Sequence, residues 1–138
     1  MIVCLDIVGI TNQKQGILIR NVIESALDTL VPRRRKPIFI DVHVAKDEDM
    51  DGTEALIHQE ENGFFFLALN EIMFTKEEDD LITCLIHEMV HVRQFLRREI
   101  NESNHYNNFE EYMNQPHELE AYRLQEELLD EVKEKAKC

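Results

Sequence analysis

The stretch from Leu81 to Leu96 constrains this chain more than any other, because along a helix it is apolar on nearly every side. A helix without a polar face cannot lie on a surface, so other elements have to pack around it. At 138 residues the chain has the size of one domain with one hydrophobic core. This helix is therefore expected at the centre of that core. Thr75 and Glu78 have the spacing of a capping box and predict its start. Glu77, Asp79 and Asp80 suit the positive end of the helix dipole, and Arg93, Arg97 and Arg98 suit the negative end.

Around it the sequence supplies a second helix and several short strands. From Lys14 to Val31, apolar residues at Ile19, Val22, Ile23, Ala26, Leu27 and Leu30 form one helical face, which Pro32 ends. Ile38 to Val44, Glu54 to Glu60 and Phe64 to Leu69 read as strands, and Met1 to Ile10 as a further one. Glu61-Asn62-Gly63 is a turn that pairs the last two strands of the first group as an antiparallel hairpin. The polar segment from Asn101 to Gln115 precedes Pro116, where a final helix of alternating acidic and basic residues begins and runs to the C-terminus.

Fifteen Lys and Arg against 28 Asp and Glu leave a net charge of −13, which repels phosphate backbones and anionic lipid. No nucleic acid partner is expected. The short basic run Arg33 to Lys36 lies between two prolines and reads as a solvated turn. No apolar run approaches the ~20 residues of a membrane helix, and Met1 to Ile10 lacks the basic flank of a signal peptide. Cys4, Cys84 and Cys138 are scattered and odd in number, as suits reduced thiols. These features predict a cytoplasmic chain with no membrane partner.

Within the central helix lies His87-Glu88-Met89-Val90-His91. Imidazoles four residues apart project from one helical face about a turn apart, so one metal ion can bridge both. Glu88 is rotated by about 100° from His87, a direction from which its carboxylate can take a proton from water at the metal. Leaving two imidazoles and a carboxylate unpaired on a buried helix would cost several kcal/mol, a penalty that a cation largely removes. Zinc suits the set, because it accepts imidazole in a tetrahedral site where three protein ligands leave one place for water. The third ligand has to come from another element. The last helix offers Glu118 and Glu120, which lie about 200° apart around its axis, so only one of them can face the metal.

At these residues the chain resembles the gluzincin metallopeptidases, the thermolysin-like group. Their active-site helix carries His-Glu-x-x-His, and their next long helix supplies a ligand Glu followed three residues on by Ala or Ser. Glu118 with Ala121 matches that second pattern. The resemblance implies an α+β, zincin-like fold over residues 1–138 as a single domain. Its expected parts are an N-terminal backing helix, a small and mostly antiparallel sheet, the active-site helix and a C-terminal glutamate helix. It implies Zn2+ held by His87, His91 and Glu118, with Glu88 as the general base in attack of a zinc-bound water on the carbonyl of a peptide or protein substrate. It also implies that the strand Phe64 to Asn70 is the edge holding an extended substrate. Where larger members place an Asp four residues after the glutamate ligand to orient the first histidine, this chain has Tyr122. His105, Tyr106, Tyr112, His117 and Tyr122 are the candidates for stabilising the oxyanion. The alternative reading is a non-catalytic, zinc-stabilised interaction or sensor module of the same fold, and a non-peptidase hydrolase is a third. Glu88 weighs against the module, because a structural zinc site needs no base and usually closes its fourth position with Cys or His.

Asp47-Glu48-Asp49-Met50-Asp51-Gly52 reproduces the first half of a calcium loop, but His58 stands where the bidentate Glu is needed, so it reads as an acidic solvated turn. Cys84, one turn before His87, reads as a small buried residue. Cys138 is a soft ligand that a flexible tail could bring to zinc. The sequon Asn101-Glu102-Ser103 carries no meaning in a cytoplasmic chain.

Overall fold

The computed structural model describes residues 2–100 and 114–137. The readings placed on the sequon at Asn101, on His105, Tyr106 and Tyr112 and on Cys138 lie outside the described residues. Strand β1 (Val3–Val8) leads into helix α1 (Gln13–Leu30), which starts where the Asn12 side chain accepts a hydrogen bond from the Gln15 amide. The six residues predicted to form its apolar face are all buried. Strand β2 (Ile38–Ala45) follows, then a single helical turn, α2 (Asp47–Met50), and the strands β3 (Ala55–Glu61) and β4 (Phe64–Asn70). A 3-10 turn at Glu71–Thr75 leads into the central helix α3 (Glu78–Leu96). Helices α4 (Pro116–Glu127) and α5 (Leu129–Ala136) complete the described chain.

Among the described residues the fold is α+β with five helices and a four-stranded mixed sheet in the order β1-β2-β4-β3. The β3–β4 hairpin is antiparallel, as its turn predicts, and Gly63 supplies the left-handed residue at φ +85. The sheet as a whole is not mostly antiparallel. β1 pairs with β2 and β2 with β4 in parallel, because α1 carries the chain back between the first two strands and β3 spends one reversal at the outside of the sheet. For the same reason β4 is not an edge: β2 and β3 occupy its two sides, and the edges are β1 and β3. The reading of Phe64–Asn70 as the substrate-holding edge is corrected on this ground, since both sides of its main chain are already paired.

Ile38, Ile40 and Val42 of β2 and Phe65, Leu67 and Leu69 of β4 are buried, while Asp41 and His43 between them are exposed. One sheet face thus belongs to the core with α1 and α3. Phe39 and Phe64 stack on the other face, with ring centroids 4.6 Å apart. α3 buries Leu81, Ile82, Leu85, Ile86, Met89, Val90, Val92 and Phe95, as expected for a central helix.

Two helix boundaries differ from the sequence reading. The capping box does not form, because the Thr75 hydroxyl donates back to the Ile72 carbonyl within the 3-10 turn, and α3 starts after Glu77 with no side-chain cap. Glu78, Asp79 and Asp80 still occupy its first turn. The final helix is also broken, at Leu128, and the second part docks on α1. Lys135 reaches Asp28 and Thr29, and Asn21 donates to the Ala136 carbonyl. Among the described residues no helix is long and apolar enough to cross a membrane.

Candidate metal centre

The centre lies in the seam between α3 and α4. α3 presents His87 and His91 on one face, as their spacing requires. α4 begins with Pro116 at its first turn and places Glu118 against them. Ala121, fully buried one turn on, lets the two helices approach closely. The Oε1 atom of Glu118 lies 2.9 Å from His87 Nε2 and 3.1 Å from His91 Nε2, and the two Nε2 atoms are 3.1 Å apart. Ligand atoms of all three residues fall within 4.8 Å of one another, a group able to hold a metal ion. Glu118 is 1% exposed. Glu120, left open against it as a ligand, points elsewhere, to Gln94 and Arg93.

Two residues that the sequence reading did not assign orient the rings. His91 Nδ1 lies 2.7 Å from Gln94 Oε1, and His87 Nδ1 lies 2.8 Å from Gln125 Oε1. Tyr122, weighed as the orienting group in place of an Asp, instead packs its ring against His87 at 4.7 Å. Gln125 is seven residues after Glu118, hence on the same face two turns on, and Gln94 is one turn after His91. That periodicity is the signal available in the sequence. The helix ends just beyond Gln94. Arg98 takes the left-handed conformation at φ +59, and the Glu99 amide donates to the Gln94 carbonyl while the Arg98 amide donates to Phe95. This Schellman closure fixes the main chain next to His91.

The donor set tests whether a cation fits. Where Nδ1 of each ring carries the proton and donates to its glutamine oxygen, the Nε2 lone pairs turn inward, towards the Glu118 carboxylate. Three acceptors around one point repel one another unless a proton or a metal ion lies between them. The residues therefore fit a metal ion. In its absence His91 is pulled both ways: burial disfavours its charged form, but the hydrogen bond it can donate to Glu118, the charges of Glu88 and Glu118 and the Gln94 contact outweigh this and raise its pKa.

Glu88 is buried beside this group. Burial pushes its pKa up, His91 and His87 pull it down, and Glu118 adds to the rise. A carboxyl whose pKa is raised takes a proton more readily than a free one and can pass it on. Two of the oxyanion candidates flank the histidines: Tyr122 on His87, and His117, whose ring lies 5.8 Å from that of His91. Burial lowers the His117 pKa and raises that of Tyr122.

The weaker features resolve differently. Asp47 accepts a 2.7 Å hydrogen bond from the Asn70 side chain, which also donates to the Thr53 carbonyl and accepts from the Ile72 amide. The acidic turn thus belongs to the joint between β4 and the approach to α3. Cys84 is not in the convergent group, and burial followed by the charge of Glu88 pushes its thiol up, away from the thiolate that a metal would need. No protein-family model, no curated protein and no solved structure matches this chain.

Proposed function

We propose that the chain is a zinc-dependent metallopeptidase of the gluzincin type. One observation carries this reading: two imidazole nitrogens and a buried carboxylate converge across a helix seam, with a second buried carboxylate, Glu88, beside them. Zinc suits two imidazoles and one carboxylate, and three such ligands leave an open position. His87, His91 and Glu118 would hold it. When bound, zinc supplies the Lewis acidity that makes water more acidic and polarises a carbonyl. Glu88 takes the proton that the attacking water gives up and passes it to the amine nitrogen as the C–N bond breaks, so that water adds across the peptide bond.

The position of β3 supports the peptide as substrate. β3 is an edge strand of the described sheet and packs against α3, a place from which a sheet edge can pair with an extended chain. The charge of −13 speaks against nucleic acid as a partner, and the free Cys4 and Cys84 support a reducing, cytoplasmic setting.

Elemental analysis of the purified chain, joined to cleavage of casein or a peptide library with and without chelator, tests the reading. About one zinc per chain and chelator-sensitive cleavage are expected. A folded chain that takes up less than about a tenth of an equivalent from zinc-replete medium overturns it. Zinc without cleavage under any condition tried replaces it with the interaction or sensor module.

A further inference from the structure

Gln94 is 1% exposed and every polar atom of its amide is committed. Its Nε2 donates to the His117 carbonyl at 2.9 Å and to Glu120 Oε1 at 3.0 Å. The His117 carbonyl can only accept, and the Glu120 oxygen also faces Arg93 at 3.5 Å. The orientation of the amide is thereby forced, and its oxygen has to face His91 Nδ1. Gln125 repeats the arrangement on the more open side of the seam. Its Oε1 meets His87 Nδ1 at 2.8 Å, and its Nε2 points to Glu126 Oε1 at 3.4 Å.

We infer that Gln94 and Gln125 are positioning residues that hold both site histidines in the Nδ1–H tautomer, turning the two Nε2 lone pairs towards Glu118. Free neutral histidine prefers the opposite tautomer, so the site selects a form that the side chain alone does not. The choice of amide over carboxylate has its own effect. A carboxylate on Nδ1–H makes an imidazole more electron-rich, whereas a neutral amide orients the ring without adding that density. A cation held by these rings stays more electron-poor, and polarises water more strongly. The use of the lone pairs for a metal rests on the metallopeptidase reading; the tautomers do not.

The test is a long-range 1H–15N correlation spectrum of the metal-free, 15N-labelled protein at a pH where both rings are neutral, with zinc affinity measured by competition with an indicator. The wild-type chain is expected to show a protonated Nδ1 and a bare Nε2 on both histidines, with the proton needed between the three inward-facing groups carried by the Glu118 carboxyl. Gln94→Leu should release His91 into the Nε2–H form, and Gln125→Leu should do the same for His87, each with a loss of about tenfold or more in zinc affinity. Gln125→Glu keeps an acceptor in place, so it should preserve the His87 tautomer and bind zinc more tightly than the wild type. Because Gln94 is buried, the half-buried Gln125 pair decides the matter if Gln94→Leu does not fold. Either wild-type ring found as Nε2–H, or tautomers unmoved by the leucine variants, overturns the inference. A wild-type chain with the stated tautomers that takes up no zinc sinks the metallopeptidase reading and leaves the tautomer assignment standing.

Discussion

The seam between α3 and α4 and the turn after β2 are both rich in carboxylates, yet ligand atoms converge only in the seam. In the turn, Asp47, Glu48, Asp49 and Asp51 belong to a single exposed helical turn and the residues after it. The one carboxylate tied into the fold, Asp47, is satisfied by Asn70. In the seam, Glu118 is almost fully buried against two histidines whose Nε2 atoms face it. The difference shows that the number of acids says little about ion binding. What calls for a cation is a buried set of acceptors whose mutual repulsion the protein itself does not relieve.

The comparison can be broken most decisively at Glu88. Glu88→Gln should keep zinc and fold while hydrolysis falls by at least about 100-fold, because the amide is nearly isosteric and cannot accept the proton. Parent-like cleavage by this variant would remove the seam's claim to chemistry. Next in size is the contrast between the two regions themselves. Glu118→Gln should weaken zinc binding by more than about tenfold and remove activity, whereas Asp49→Asn and Asp51→Asn should leave both unchanged. An indicator titration of the three variants shows whether the acidic turn has been misjudged.

The pH dependence sharpens the same contrast. Protons compete for the inward-facing nitrogens, and the His91 pKa lies above its ordinary value in the metal-free chain. Zinc affinity should therefore be full at alkaline pH and begin to fall above the ordinary imidazole pKa of about 6.5, declining further as pH drops through the imidazole range. An affinity flat from pH 8 to about pH 5 would mean that the histidines are not the ligands. The smallest effect is expected at Asn70. Asn70→Ala strips partners from Asp47, the Thr53 carbonyl and the Ile72 amide, and should lower stability by about 1–3 kcal/mol in denaturant titration while zinc affinity changes little.

What the sequence made legible follows the range of the forces involved. The face shared by His87 and His91 depends on helix geometry alone, and the Glu118 register follows once Pro116 fixes where α4 begins. The hairpin was readable from Gly63 for the same local reason. The directions of the β1–β2 and β2–β4 pairings were not, because strand patterns state which residues are buried and not which strand lies alongside. The edge role of β4 comes from the family resemblance alone, and the strand pattern holds nothing that tests it. Thr75 had the right spacing for a cap, but the 3-10 turn before α3 claimed its hydroxyl. Gln94 and Gln125 escaped notice because an amide gains its meaning only from partners on another helix.

The docking of α5 on α1 has a kinetic consequence. The hydrogen bonds of the seam join residues 27 and 31 positions apart, and those that anchor α5 span 106 to 115. Contacts that close such long loops carry the larger entropy cost and tend to form after the local ones, so the seam should assemble on the native side of the folding barrier. A ligand that bridges α3 and α4 then stabilises the native state without stabilising the transition state. It slows unfolding and leaves the folding rate nearly where it was, so that the lifetime of the folded chain, more than its speed of formation, depends on the metal.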